Sequence, residues 1–270
     1  MTEELAQLLK SLHLRKIQEL LEEELRRAEQ EQIPYHEFLL RLVRPQWHAK
    51  QQQALQWRIK RARLPERWTL ETFPFKKQPG VNRRQIWTLA ELDFIPRTEN
   101  IVFIGPPGVG KTGLASSLLL KALQNGYRGQ FLRAQDLFDD MYASLADRSS
   151  RKLINRLARL DVLLIDEMGY LNLKPEQSNI FFKLMEERYN RRATLITTNL
   201  LCGAPHNLFN AESPVMRSLG SRGPAGESLW WFCAPHYGAR GQRGDELVSS
   251  PETAGSQTRC DHRFQSFQLH

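Results

Sequence analysis

No cysteine precedes residue 202 in this 270-residue chain. The three present, Cys202, Cys233 and Cys260, stand too far apart for a Cys-x-x-Cys metal or redox pair. A disulfide scaffold and a zinc module ahead of residue 202 are thereby excluded. No apolar run approaches the roughly 18–20 residues that span a bilayer, so neither a spanning helix nor a membrane partner is expected. The N-terminus, MTEELAQLLKSLHLRK, opens acidic and continues amphipathic. It lacks the basic start, apolar middle and small-residue cleavage site of a signal peptide, and the expected compartment is the cytoplasm. Negative charge is in short supply: 38 Lys and Arg against 30 Asp and Glu leave a formal net charge of +8. Such a balance suits a polyanionic partner, nucleic acid above all, or else a solvated basic surface. Lysine and isoleucine are missing from residues 201–270, which hold eight of the 16 glycines and all three cysteines. That stretch has no sustained helical or strand period; only SLWWFCA, residues 228–234, has strand character.

What is present divides the rest of the chain into three parts. Residues 1–66 read as a helical, DNA-binding domain of three or four helices. Leu5, Leu8, Leu9, Leu12, Ile17, Leu20, Leu21 and Leu25 recur at helical spacing. Ile33-Pro34 breaks the pattern, Phe38, Leu39, Leu42 and Val43 form a second apolar face, and Pro45 is expected to open a further helix ending near Pro65. The end of that segment is basic: Arg58, Lys60, Arg61 and Arg63, with Trp47 and Trp57 nearby. These cations are candidates for contact with DNA phosphates; the alternative is a solvated helix face with the tryptophans packed inward. Residues 67–99 read as a linker in which Phe73 and Phe75, extended around Pro74, anchor to the next domain. From residue 100 to 200 strand candidates (101–104, 130–133, 162–165, 194–198) alternate with helix candidates (110–124, 135–145, 175–191). The expected class is α/β, with a parallel sheet between layers of helices.

The chemistry concentrates at the ends of those strands. GPPGVGKT, residues 105–112, fits G-x-x-x-x-G-K-[ST], preceded by the apolar run IVFI and followed by a helical pattern. The ATP-binding candidates are Gly105, Pro106, Pro107, Gly108, Val109, Gly110, Lys111, Thr112 and Gly113. Glycines let backbone N–H groups curl around phosphates, and the helix N-terminus adds its dipole. Lys111 should reach the β- and γ-phosphates and Thr112 should ligate Mg²⁺. In LDVLLIDE, residues 160–167, an apolar strand ends in two carboxylates. Asp166 would hold Mg²⁺ and Glu167 would act as general base; the alternative is an acidic pair capping a helix. TLITTN, residues 194–199, ends in Asn199, either a γ-phosphate contact or a strand-terminal turn residue. These strands indicate the P-loop NTPase class in which an extra strand, here 194–198, lies between the P-loop strand and the acidic strand. The GTPase base signature N-K-x-D is absent, so ATP is expected over GTP.

Together these motifs resemble the IstB-like helper ATPases of insertion sequences, which are similar to DnaC-type helicase loaders and the AAA+ initiator DnaA. The resemblance rests on the helical segment of residues 8–44, the basic run 59–63, Phe73-Pro74-Phe75, the LDFI approach at 92–95 and DEMGY at 166–170. It covers residues 5–200. It implies an AAA+ core after the helical domain, ATP-dependent homo-oligomer assembly on double-stranded DNA, and stimulation of a cognate transposase at the target site. After residue 200 the likeness is expected to stop. The family's arginine finger and last strand are not found, Arg217 and Arg222 are not assigned as fingers, and residues 201–270 are expected to be a poorly ordered tail read in a shifted frame. Two consequences follow: the strand at 101–104 becomes an exposed sheet edge, with residues 228–234 not taken to fill the gap, and hydrolysis is weak. A helicase loader and a non-enzymatic DNA-binding remnant are the competing functional readings.

Overall fold

A computed structural model describes residues 2–78, 80–169 and 174–199, together with the backbone of residues 229–233. Three helices come first: α1 (Glu3–Ser11), α2 (Arg15–Glu31) and α3 (Tyr35–Ala62). Leu9, Leu21 and Leu42 are buried where they meet, flanked by Ile17, Leu20 and Phe38. Pro45 does not open a separate helix; it lies inside the 28-residue α3. A proline there removes a backbone N–H, but the segment on both sides is held by α2. Leu42 packs into the shared core, and the buried Gln46 side chain accepts the backbone N–H of Lys16 at 2.9 Å and of Ile17 at 3.4 Å. Gln46 thereby satisfies free donors of the first turn of α2, which Leu14 at the N-cap cannot cap itself. α3 ends at Ala62, with Arg63 in the left-handed region.

The connection that follows carries a 3₁₀ turn (Phe75–Lys77) and α4 (Arg83–Leu89). Phe73 is buried, and Phe75 opens the 3₁₀ turn instead of continuing an extended segment. The core then alternates: β1 (Asn100–Ile104), α5 (Lys111–Gln124), β2 (Gly129–Arg133), α6 (Ala134–Ala146), α7 (Ser150–Ala158), β3 (Val162–Asp166), α8 (Pro175–Arg188), β4 (Ala193–Thr198) and β5 (Leu229–Cys233). Helix α7 was not anticipated, because its amphipathic pattern in nine residues is too short to stand out from the flanking polar sequence.

The strands form one parallel sheet in the order β2-β3-β4-β1-β5. The inserted strand is β4, between β1 and β3, as the sequence indicated. β1, β3 and β4 are buried along their whole length because both faces are covered. Alternation sends Ile101, Phe103, Val162, Leu164 and Leu195 toward α5 and the connection, and Val102, Ile104, Leu163, Ile165 and Ile196 toward α6, α7 and α8.

The expected open edge at residues 101–104 is also overturned. β1 is not left as an edge: β5 pairs with it in parallel across Asn100↔Leu229 to Ile104↔Cys233. Five consecutive apolar or aromatic residues, LWWFC, continue the ladder beyond β1. The remaining expectations for residues 201–270 fall outside the described residues.

Candidate nucleotide site

β1 delivers the chain to Gly105, and the turn to α5 is made by glycines with positive φ: Gly108 at +83° and Gly110 at +86°. Gly110 is required twice over. Its conformation disfavours a side chain, and a Cβ built there would lie 2.7 Å from the Phe73 ring. The P-loop thus closes against the connection, and Gln78 adds a 3.3 Å hydrogen bond from Nε2 to the Gly108 carbonyl. Lys111, in the first turn of α5, donates from Nζ to the carbonyls of Gly105 (2.8 Å) and Pro106 (2.9 Å). Burial pulls its pKa below the ordinary lysine value, partly offset by Asp166 and Glu167.

The acidic strand meets the loop from the side. Thr112 Oγ1 donates to Asp166 Oδ1 at 2.9 Å and reaches Oδ2 at 3.2 Å. Asp166 is buried, and its second partner is Thr197 on β4, whose Oγ1 donates to Oδ1 at 2.5 Å. The same hydroxyl accepts the Glu167 N–H at 3.0 Å. Glu167 itself is exposed at φ +59°, outside the strand geometry that Asp166 closes. A single threonine therefore fixes both carboxylates: one by donating to it, the other by holding its backbone. In the sequence Thr197 stands out only as one residue of the buried strand at 194–198. Its signal was a hydroxyl in a fully buried strand, which must find a partner.

Lys111, Thr112, Glu167, Thr197 and Asn199 line one cleft of about 440 Å³, with Pro107, Gly108, Gly110 and Gly113 on the loop side. Trp68, Phe73, Pro74 and Gln78 of the connection form the remaining wall, a contribution missed in the sequence because nothing in their spacing points to a site. Gly105, Pro106 and Val109 shape the loop without lining the cleft, and Asp166 sits beneath Thr112. Among the described residues no thiol or imidazole lines the cleft; its oxygen donors are hydroxyl, carboxylate and amide, a hard set that suits Mg²⁺. Among the described residues no group of three or more His, Cys, Asp or Glu could hold a metal alone, so a cation here would complete its shell from phosphate and water.

The basic residues of α3 lie elsewhere and divide. Arg58 is half-buried and donates from Nε to the Leu123 carbonyl at the end of α5, 2.9 Å away. Arg61 stacks over Trp57 at 4.9 Å from the ring centroid; Lys60 and Arg63 are exposed. Trp47 and Trp57 are 55% and 57% exposed, so they do not pack inward.

Comparison with known proteins decides the family. A family profile described as "IstB-like ATP binding protein" matches residues 7–218. The chain belongs to this family. The IstB-like match continues past the compositional break, so the likeness does not stop at residue 200. It includes Arg217, which lies outside the described residues. The chain is 35% identical over 196 residues to an IS21 insertion-sequence ATP-binding protein of Pseudomonas aeruginosa, covering 73% of this chain and 74% of that protein. It is 40% identical over 167 residues to an IS5376 ATP-binding protein of Geobacillus stearothermophilus, covering 62% and 66%. Its fold is also that of AMPPCP-bound DnaA from Aquifex aeolicus (TM-score 0.51, 22% identity, 63% of this chain and 51% of that chain). The structure of DnaI matches likewise (TM-score 0.51, 18% identity, 63% and 92%). An IstB-like chain with this sheet order and this loop is a P-loop ATP-binding protein.

Proposed function

We propose that this protein is an ATP-hydrolysing assembly factor that binds double-stranded DNA as a homo-oligomer and assists the transposase of its insertion sequence at the target site. The observation that carries the reading is the meeting of Lys111, Thr112, Glu167 and Asn199 in one cleft above the buried Asp166. With ATP in that cleft, the loop N–H groups and Lys111 bind the β- and γ-phosphates. Thr112 and Asp166 would hold Mg²⁺, which when bound screens the charge of the β- and γ-phosphates. Glu167 accepts a proton from the attacking water as its oxygen bonds to the γ-phosphorus, and the bond from that phosphorus to the ADP oxygen breaks, leaving ADP and phosphate. Asn199 orients the γ-phosphate or the water. The reaction takes place in the cytoplasm, where DNA and ATP are both present.

In the absence of an assigned arginine finger, turnover by the protein alone is expected to be slow, since such a finger is worth about 10³–10⁵ in rate. The test is a strand-transfer assay with the transposase of an IstB-like insertion sequence. Wild-type protein with ATP should raise insertion into target DNA, and Lys111→Ala should not. Stimulation that is equal without ATP or with Lys111→Ala would refute the reading.

A further inference from the structure

A second cavity, of about 770 Å³, lies at the other end of α5 from the P-loop, bounded by the end of α3, the start of β2, Leu160 and one face of α7. The 14 residues of α5 separate the two sites by about 20 Å. From α3 come Arg58, Arg61 and Arg63. α7 contributes Lys152 and Arg156, with Arg159 just after its end; the steps of four and three residues put them on one face, while Leu153, Ile154 and Leu157 are buried behind. Arg128 completes the wall, and among the described residues no acidic side chain lines the cavity.

Most of the charges are not internally neutralised. Among the described residues Arg61, Arg63, Arg156 and Arg159 make no ion pair, and Lys152 has only a weak attraction to the exposed Asp147. Asp161, beside the cavity, is shared by Arg128 and Arg192. Beyond it Arg191 pairs with Glu187, which ends the basic band. Concentrating cations without counter-charge costs self-repulsion, which a bound polyanion relieves.

We infer that this groove is the phosphate-backbone seat for duplex DNA, built jointly by α3 and α7. Arg58 serves it by locking the end of α3 onto α5, and Lys60 stands outside it. The inference rests on the DNA-binding reading above and assigns its surface. Arginine predominates, and its planar fork matches phosphate oxygens. Successive cations on α7 repeat every ~4.5–6 Å, about one helical turn, a spacing that follows a run of phosphates. Trp57, the one aromatic side chain in the lining among the described residues, is covered by Arg61, so the contacts are to the backbone and carry no base readout.

The experiment measures binding of the full chain to a fluorescent duplex between 50 and 200 mM salt. Wild type is compared with Arg156→Gln/Arg159→Gln and with Lys60→Gln, and each variant is checked for unchanged melting temperature and ATP binding. Both arginines are exposed, so the fold tolerates the change. Each lost phosphate contact removes about 0.9 from the slope of log K against log salt. The double variant should therefore lose about 1.8 in slope, while Lys60→Gln stays near wild type. A double variant with wild-type affinity and slope overturns the groove while leaving DNA binding intact. Absence of duplex binding by wild type overturns the DNA reading and the groove with it. Displacement of DNA by polyglutamate at equal charge concentration overturns the assignment in favour of an acidic protein surface.

Discussion

Thr197 shows how much one side chain carries. Its hydroxyl has two jobs, donating to Asp166 and accepting from the Glu167 N–H. Replacing it with valine leaves a buried carboxylate short of a donor and frees the Glu167 backbone at a positive φ. Thr197→Val is expected to lower ATP turnover by about 10–100-fold, the range for groups that orient metal ligands, with nucleotide affinity little changed. Thr197→Ser should restore the rate; a valine variant at the wild-type rate would remove the threonine from the mechanism. Lys111, Thr112, Asp166, Glu167 and Asn199 were legible in the sequence because a phosphate site needs those residue types at the ends of apolar strands. Thr197 was not, since its partner lies 31 positions away and only the β3–β4 pairing brings them together. Gly110 makes a sharper case of the same kind: the sequence implies the glycine, but not that Phe73 presses on it. Gly110→Ala should cost about 1–3 kcal/mol from backbone strain alone, measurable as a lowered melting temperature, and should also weaken ATP binding.

At the scale of elements, the core strands were readable as short apolar runs because a parallel sheet covered on both faces demands them. The exceptions are instructive. Pro45 signals a helix boundary in the sequence, yet packing of Leu42 and Gln46 against α2 carries α3 through it. α7 was hidden, and its place is secured by a residue from another helix. Arg188 at the end of α8 is buried, pairs with no carboxylate among the described residues, and burial depresses its pKa to about 9. It donates to the Leu157 carbonyl at 2.8 Å, the Leu160 carbonyl at 2.9 Å, the Thr194 hydroxyl at 3.1 Å and the Ala193 carbonyl. One guanidinium thus ties the end of α7 to the entry of β3 and β4. Arg188→Met keeps the bulk but strands those acceptors. It should destabilise the fold by about 2–5 kcal/mol, seen in urea unfolding; a loss below about 1 kcal/mol would mean the carbonyls find other donors.

For the whole molecule, the sheet order places β1, with its P-loop, between β4 and β5 rather than at an edge. The sequence read the tail as a loss, because its composition departs from the rest of the chain; the pairing of β5 depends on what β1 offers, and composition does not report that. Backbone pairing is therefore testable by itself. Successive N–H groups of a strand face opposite sides, so Trp231→Pro/Phe232→Pro removes one donor toward Val102 and Phe103 whichever of the two faces β1; it should reopen the β1 edge, lowering soluble yield and promoting aggregation, and an unaffected variant would mean the strand is dispensable. The larger account is that the cleft above Asp166 breaks ATP rather than merely holding it. The most direct measurement is phosphate release from ATP by Glu167→Gln beside wild type at matched nucleotide occupancy. Occupancy should be unchanged and the rate lower by about 10²–10⁴, the value of a general base. Equal rates in the two proteins would mean that Glu167 takes no proton from the attacking water.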